Sequence, residues 1–401
     1  MKHPRVFLHI IIFVALVGCL NQDSVEVPEE IRDLENLEVY PAELKPELDI
    51  NIEKEREFGD TDTVHLGAIL KDFAVDDNGR VYIADLRENK IHVFNPDGSY
   101  VQAIGRAGRG PGEFQMIWAI QVSNDHLHVL DFNQSKISTF SLQTYEHIRD
   151  IDVSLENQPS EKPAWVDQSR RYQAFLKPTD FFILPDDKYL IFFSDPGVTT
   201  ADHLDKRTYQ ASIFNIKTGE YENHNLFSFR WTGQVLVHDN LIMFKVPYKR
   251  SSQFDFNHNT LVYGWTNDPL FKFYSMDGEY QRALYYPLKR VNLEEEDALA
   301  VYQAADEQLI NAIRNDDLPD SWPAFNTLKL DDEKRIWISV TSEDLDVFEW
   351  WVLKDSGELL TTFTLPRDYS IEVIKDDYFY THEIDRETGL QRIVKYRVEM
   401  N

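Results

Sequence analysis

Three features of the amino-acid sequence predict an all-β fold, a six-bladed β-propeller. The first is a compact four-strand unit, Asp72 to Gly105. Phe73-Ala74-Val75, Arg80 to Ala84, Lys90 to Phe94 and Tyr100 to Ile104 read as short strands separated by turn residues. Asn78-Gly79 predicts a type I′ turn, in which both central residues take positive φ. Asn95-Pro96-Asp97-Gly98 predicts a second tight turn, with Pro presetting φ and Gly removing the steric penalty. Four antiparallel strands in so short a span make one propeller blade.

The second feature is recurrence, which outranks any local reading. At a shift of 46 residues, Asp85 falls on Asp131, Lys90-Ile91 on Lys136-Ile137 and Phe94 on Phe140. At a shift of 180, Phe94 falls on Tyr274, Asp97-Gly98 on Asp277-Gly278 and Tyr100 on Tyr280. Arg335 to Ile338 matches Arg80 to Ile83, and a looser copy runs through Lys188 to Phe193 and Ala211 to Gly219. A β-sandwich would space its strands irregularly rather than in four-strand units. The blades are expected at 72–105, 118–153, 179–228, about 232–288, 323–365 and 370–398 with 48–59. Gln234 to Val246 is the ambiguous stretch, an incipient seventh blade, but no full four-strand unit fits there.

The third feature is a mismatch at the ends. Ser370 to Val398 supplies only three strand-like runs, while Leu48 to Gly59 precedes the first blade with Phe58-Gly59 resembling Ile104-Gly105. The N-terminal strand is therefore expected to complete the last blade and remove the free edges of the ring. Asn292 to Asp316 breaks the β pattern. Leu299, Tyr302, Ala305, Leu309 and Ile313 recur at helical spacing, Asn292 with Glu295 forms a capping pattern, and Pro319 follows. This predicts an amphipathic helix, about 292–316, inserted between blades with its apolar side on the propeller.

Before the propeller lies a targeting segment. Lys2 and Arg5 precede an apolar run, Val6 to Val17, interrupted by His9 and too short for a comfortable membrane span. It ends at Leu16-Val17-Gly18-Cys19, which resembles a bacterial lipobox. Cys19 is the single cysteine, so no intramolecular disulfide is available to it. In a lipoprotein this thiol carries the lipid whose chains bury methylenes in the bilayer. The expected organisation is a lipoprotein signal peptide at 1–18, an acidic tether at 19–47 and the propeller at 48–401. The tether carries many acids and Pro28, Pro41 and Pro46, a composition that favours extended chain. A short helix from Glu29 to Leu37 would place Ile31, Leu34 and Leu37 on one side.

Gly105 to Phe114 (GRAGRGPGEF), between the first two units, resembles the NHL-repeat propellers, and more closely the six-bladed propeller lipoproteins of bacterial envelopes. The resemblance covers most of the chain after about Leu48. It implies a fold and a bacterial cell-envelope location on the periplasmic side or outer membrane. It implies no reaction.

Composition narrows the partners. The 401 residues carry a net charge of −28, with 42% hydrophobic and 13% aromatic residues. That balance disfavours nucleic acid, whose phosphates it would repel, and keeps the body off an anionic leaflet. A monomer is expected, attached to the membrane only through its lipid. Alternating strand direction puts first-to-second and third-to-fourth turns on one face, and these turns are short. The opposite face receives every long insertion, and function tends to live on such loops. Arg106, Arg109, Trp165, Arg170, Arg171, Lys177, Lys289 and Arg290 all fall in those insertions. They either pair with the chain's own acids or line a mouth for an anionic glycan, peptide or envelope protein, through bidentate Arg contacts and Trp stacking.

No catalytic constellation emerges, and neither a metal nor a cofactor is expected. His126 and His128 share a strand face without a third ligand at metal spacing. Gly-x-Ser-x-Gly, HExxH and P-loop patterns do not occur. Asp85 and Asp131 repeat at one blade position and are expected to accept backbone hydrogen bonds of the adjoining loop. The primary expectation is a ligand-binding or interaction scaffold. The alternative is a propeller enzyme of lactonase, hydrolase or lyase type, with its site in the central channel.

Overall fold

The computed structural model describes residues 25–59, 66, 70–155, 176–194, 208–231, 233–237, 242–300, 307–385 and 388–401. Six four-stranded antiparallel units follow one another along the chain. The first blade comprises Leu70–Val75, Val81–Asp85, Lys90–Phe94 and Tyr100–Ile104. The second comprises Ile117–Ser123, His126–Asp131, Lys136–Ser141 and His147–Asp152, and the third Lys177–Leu184, Lys188–Ser194, Thr208–Asn215 and Glu220–Arg230. Ser252–Asn257, Thr260–Trp265, Leu270–Ser275 and Tyr280–Tyr285 form the fourth. Phe325–Leu330, Ile336–Thr341, Val347–Leu353 and Leu359–Pro366 form the fifth. The sixth is Ser370–Lys375, Tyr378–Ile384 and Gln391–Met400, completed by Ile50–Phe58.

That last pairing is the expected closure. Ile50–Phe58 runs antiparallel to Gln391–Met400, from Ile50 opposite Met400 to Phe58 opposite Ile393. Phe58 is buried with Phe73, Ile83, Phe94 and Tyr380, so the same strand also seals the junction between the sixth and first blades.

The core is divided among the blade junctions. Phe114, expected to wedge between blades, is buried with Tyr82, Ile91, Val129 and Phe140 between the first two. Phe192 stacks on Phe254 at 4.2 Å between the third and fourth. Phe271 meets Phe325 between the fourth and fifth, and Trp337 meets Phe379 between the fifth and sixth. Such aromatic pairs add about 1 kcal/mol each beyond their burial.

The first turn differs from the type I′ expectation. Gly79 has φ of +76°, but Asn78 is not in the positive-φ region. The reason is Asp76, whose buried carboxylate accepts from Asn78 N and Arg80 N at 2.9 Å, Arg80 Nε at 2.7 Å and the Tyr82 hydroxyl at 3.0 Å. This side chain replaces the tight turn with a wider loop. The fifth blade repeats the device: Asp331 accepts from Glu333 N, Arg335 N and Nε, and Trp337 Nε1.

Three further expectations are corrected. Gln234–Val237 and Ile242–Lys245 form a separate two-stranded hairpin, not part of the fourth blade and not a seventh. The helical insertion is shorter than 292–316: its described helices are α1, Glu295–Ala300, and α2, Glu307–Arg314. Asn292 bridges to Ser321 instead of capping, because the chain is still extended there. Leu309, Ile313, Leu293 and Ala298 pack on Val235, Val237, Tyr248 and Trp322, so the apolar side covers the hairpin in a satellite core. Tyr302 and Ala305 lie outside the described residues.

The segment expected as extended tether is docked from Val25 onward. Its helix is a single 3-10 turn, Glu29–Ile31. Leu37–Val39 adds a parallel strand to Tyr280–Tyr285, and Ile31, Leu34 and Leu37 pack on Leu270, Ala283 and Tyr285. Tyr40 stacks on Tyr286 at 4.9 Å and donates to Ser356 O. The apolar residues among the acids find the open edge of the fourth blade, and that burial outweighs the preference for extended chain. Among the described residues no helix is long and apolar enough to cross a membrane.

Two predictions test this architecture. Removal of Leu48 to Gly59 is expected to destabilise the ring and cause aggregation through the exposed sheet edge; a shortened chain that stays monomeric with an unchanged Tm refutes the closure. Asp76→Ala is expected to cost about 3 kcal/mol in urea unfolding, because it strands the Arg80 and Tyr82 donors. Asp97→Ala, in an exposed turn, serves as the control with little effect.

Candidate functional site at the channel mouth

The inner strands of neighbouring blades contact one another around the ring axis. Five of them carry an ionisable side chain toward a common centre: Asp72, Asp180, Asp255, Lys329 and Glu372, whose charges act on one another. Two carboxylates fasten adjacent blades. Asp72 Oδ2 accepts from Ile120 N and Asp255 Oδ2 from Leu330 N, each at 2.8 Å. Lys329 Nζ stands 2.9 Å from Glu372 Oε2. Asp180 accepts from the adjacent Phe181 N at 2.8 Å.

Enclosure sets the protonation of these groups. It pushes the Asp72 carboxyl up to about 7, against the hydrogen bond from Ile120 and with the charges of Asp180 and Glu372 adding to the rise. Asp180 is pushed up to about 6 by the same enclosure, which outweighs the hydrogen bond from Phe181 and the attraction of Lys329 and Lys71. Enclosure also raises Asp255. Enclosure opposes ionisation of Glu372, but the Lys329 ammonium more than compensates and holds its carboxyl below the usual range.

At the mouth, on the face with the long insertions, cations meet aromatic rings. Lys71 Nζ lies 4.0 Å from the centre of Trp118, which packs against Phe132 at 4.8 Å. The Arg230 guanidinium is 5.4 Å from Trp265. Tyr209 stacks on Trp231 at 4.5 Å. Arg367 lies 5.0 Å from Trp322 and 4.7 Å from Phe348, and its Nη2 has no hydrogen-bond partner among the described residues. Lys245, at the end of the hairpin, is exposed, and its ammonium interacts with the charges of Glu372 and Lys71. The hairpin therefore adds a cation to the mouth.

Chain direction puts Arg106, Arg109, Lys289 and Arg290 on this same face, since each follows a fourth strand. Arg106 pairs with Glu113 through Nη2 at 2.6 Å and Nε at 2.8 Å, and Glu113 also accepts from Arg109 N and Gly110 N. Lys289 pairs with Glu343, and Arg290 stands 3.5 Å from Asp268. Lys177 donates to Asn133 O and Ser135 Oγ. Trp165, Arg170 and Arg171 lie outside the described residues. The structure thus brings together Lys71, Trp118, Arg230 and Lys245 at the mouth, residues the loop-based reading passed over because they sit at strand ends.

The opposite face is not featureless. A cleft of about 730 Å³ opens between the short turns of the second, third and fourth blades, lined by His126, His128, Arg149, Asp187 and His258. His128 bonds through Nδ1 to the Tyr189 hydroxyl at 2.7 Å, and burial drives its imidazole down to about 4, with His126 and Arg149 contributing. It is therefore neutral at pH 7 and serves as a buried strand residue. Asp85 and Asp131 act as expected, accepting from Arg87 N and Glu88 N and from Gln134 N and Gln115 N. Among the described residues, one group of metal-capable side chains stands together, Asp85, Glu88 and His92, outside the channel.

A family model, DUF5128, described as a 6-bladed beta-propeller, matches residues 61–286. No curated protein matches the sequence. Among solved structures, a member of the DUF4221 family from Bacteroides vulgatus has 12% identity over 88% of this chain and 98% of its own, with a TM-score of 0.53. A protein from Bacteroides fragilis has 12% identity over 88% of this chain and 95% of its own, with a TM-score of 0.49. Virginiamycin B lyase from Staphylococcus aureus has 10% identity over 88% and 99%, with a TM-score of 0.41. At these identities the likeness is one of fold.

The raised carboxyl of Asp180 has a signed consequence. The folded chain holds this proton more tightly than the unfolded chain, so the contribution of Asp180 to stability falls as pH rises from about 4 through about 6. Asp180→Asn cannot titrate. Its stability relative to wild type is expected to increase from pH 4 to pH 7 in parallel urea unfolding curves, and a difference independent of pH contradicts the assignment.

Proposed function

The chain belongs to the DUF5128 family of 6-bladed beta-propellers, and on that premise we propose that it is a binding module held at the bacterial cell envelope by a lipid on Cys19. Its ligand site is the channel mouth on the elaborated face, and its ligand is an anionic glycan or acidic peptide. The observation that carries this reading is the set of cations laid on aromatic rings there, Lys71 on Trp118 and Arg230 on Trp265. A cation over a ring keeps its charge, whereas a cation in an ion pair is neutralised. The ring beside it offers a stacking surface for a sugar or an apolar side chain. In a body of net charge −28, an anion is attracted only where cations are concentrated at a concave surface. Arg106, Arg109, Trp165, Arg170, Arg171, Lys289 and Arg290 would extend that surface along the insertions.

The attachment rests on Leu16-Val17-Gly18-Cys19 after the apolar run. Five residues lie between Cys19 and the docked segment that begins at Val25, and Asp23 is the one acid among them. Catalysis in the channel is the second reading. It is favoured by Asp72 and Asp180, whose carboxyls are raised to about 7 and about 6, values suited to acid–base work near neutrality. In that case the protein would be a lactonase, hydrolase or lyase, and Asp180→Asn would abolish turnover while leaving ligand capture intact.

Binding of a panel of acidic and neutral glycans and peptides tests the main reading. Lys71→Ala with Trp118→Ala is expected to weaken binding of the anionic members at least tenfold, with the loss shrinking at high salt. Arg106→Ala with Arg109→Ala should weaken it less, because Arg106 already pairs with Glu113. Asp277→Ala, on the opposite face, should leave binding alone. Equal binding by wild type and the Lys71/Trp118 double variant overturns the site. Separately, Cys19→Ser is expected to abolish acylation, read by mass spectrometry of the membrane fraction; an unmodified Cys19 in the mature wild type refutes the anchor.

A further inference from the structure

We propose that the first blade carries a divalent-metal site of the zinc class, built from Asp85, Glu88 and His92. Asp85 ends the second strand, Glu88 lies in the following loop and His92 is on the third strand. One ligand atom from each lies within 4.8 Å of the other two.

His92 points to a ligand independently of this clustering. It is 1% exposed, and among the described residues neither of its ring nitrogens has a hydrogen-bond partner. A buried imidazole ordinarily satisfies both nitrogens, since stranding one costs about 1–3 kcal/mol. Here the nearest charged atom is Asp85 Oδ2, 3.6 Å from Nε2. That is too long for a hydrogen bond. It is close to the roughly 3.4 Å that separates two donors on a tetrahedral ion when each bond is about 2.1 Å. The backbone fixes both partners, because His92 pairs with Ile83 and Asp85 with Lys90 across the same two strands. Asp85 Oδ1 is further fixed by Arg87 N at 2.8 Å and Glu88 N at 3.0 Å. Those two bonds orient the loop that carries Glu88. Backbone donors that hold a carboxylate in this way are a usual outer support of a metal-ligating carboxylate.

Glu88 is the adjustable member. It is exposed and pairs with Lys90 in the structure. Engaging an ion requires it to leave that ammonium and swing inward, which a solvent-facing side chain does at small cost. One imidazole nitrogen with two carboxylates suits Zn²⁺ and its first-row neighbours. Ca²⁺ and Mg²⁺ prefer all-oxygen sets. Three protein ligands leave a fourth position for water or a ligand group, on the loop side that belongs to the elaborated face. The three residues form the pattern Asp-x₂-Glu-x₃-His in the sequence.

The test uses the full chain carrying Cys19→Ser, so that no thiol competes, after treatment with a chelator. Calorimetric titration with Zn²⁺ at pH 7.5 is expected to give one site per chain. Co²⁺ should develop the visible absorption of a tetrahedral ion, and binding should raise Tm. Glu88→Gln, at an exposed position that does not threaten folding, should weaken Zn²⁺ binding at least tenfold, and His92→Phe should abolish it. Lys90→Ala should tighten it, because Glu88 no longer has an ion pair to give up; a purely structural role for these residues does not produce that gain. Failure to bind at micromolar Zn²⁺, or binding unaffected by both Glu88→Gln and His92→Phe, overturns the proposal. So does a response to Ca²⁺ or Mg²⁺ alone.

Discussion

The pairing of Ile50–Phe58 with Gln391–Met400 is the constraint on which the other features depend. An open ring of blades would leave two sheet edges and two uncovered apolar faces. The closing strand removes both at once, since its backbone completes the last sheet while Phe58 fills the junction with the first. Each junction is an aromatic and aliphatic layer shared by two blades, and none can be complete unless both neighbours are in place. The channel inherits this dependence. Asp72, Asp180, Asp255, Lys329 and Glu372 come from five different blades and influence one another's ionisation only because the ring brings them to one axis.

Charges in so enclosed a place need compensation, and the structure supplies it in two ways. Asp72 and Asp255 accept from backbone N–H groups of the next blade's inner strand, so each carboxylate also joins two blades. Lys329 and Glu372 neutralise each other across a third junction. Among the described residues Asp180 accepts only from its neighbour's N–H, and with Asp72 and Asp255 it is one of three carboxyls that enclosure raises. The second blade has Ala119 where the first has Asp72, since Asp72 pairs with Ala84 just before Asp85 and Ala119 pairs with Leu130 just before Asp131. The ring of charges is therefore incomplete, and the channel is asymmetric from the start.

Much of the fold was legible because its signals are local. Gly98, Gly278 and Gly357 take positive φ in equivalent turns, and no side chain substitutes easily there, so the repeat survives in the letters. The closing strand was legible by counting, since three runs cannot make a four-stranded blade. What escaped the sequence depends on partners distant along the chain. Asn78 looked like half of a type I′ turn until Asp76 took its N–H. Gln234 to Lys245 alternates like a blade strand pair, and only the helices that cover it reveal a separate layer. Leu37-Glu38-Val39 is too short to announce a strand, yet it lies along Tyr280–Tyr285. The channel residues did leave a trace, for Asp72-Phe73, Asp180-Phe181 and Asp255-Phe256 repeat one dipeptide at the inner strand. Lys329 and Glu372 share no such pattern, so the mixed charge of the channel could only be seen in space.

The cations of the elaborated face divide into two groups by what they touch. Arg106, Lys289 and Arg290 meet Glu113, Glu343 and Asp268 and thereby shape the insertions that carry them. Lys71 and Arg230 meet aromatic faces rather than carboxylates among the described residues. An aromatic ring steadies a cation through its quadrupole without cancelling the charge seen by a third body. In a chain where acids outnumber bases 69 to 41, a cation that avoids a carboxylate partner is the less common outcome. Two such cations sit at the mouth of an enclosed channel, with Lys245 arriving from the hairpin above the same opening. The insertions therefore do more than lengthen loops: the hairpin delivers charge to the mouth, while the ion-paired arginines fix the loops around it. Recognition on this face would come from residues rooted at strand ends, where the rigid sheets hold them in place, and the long loops would supply the rim.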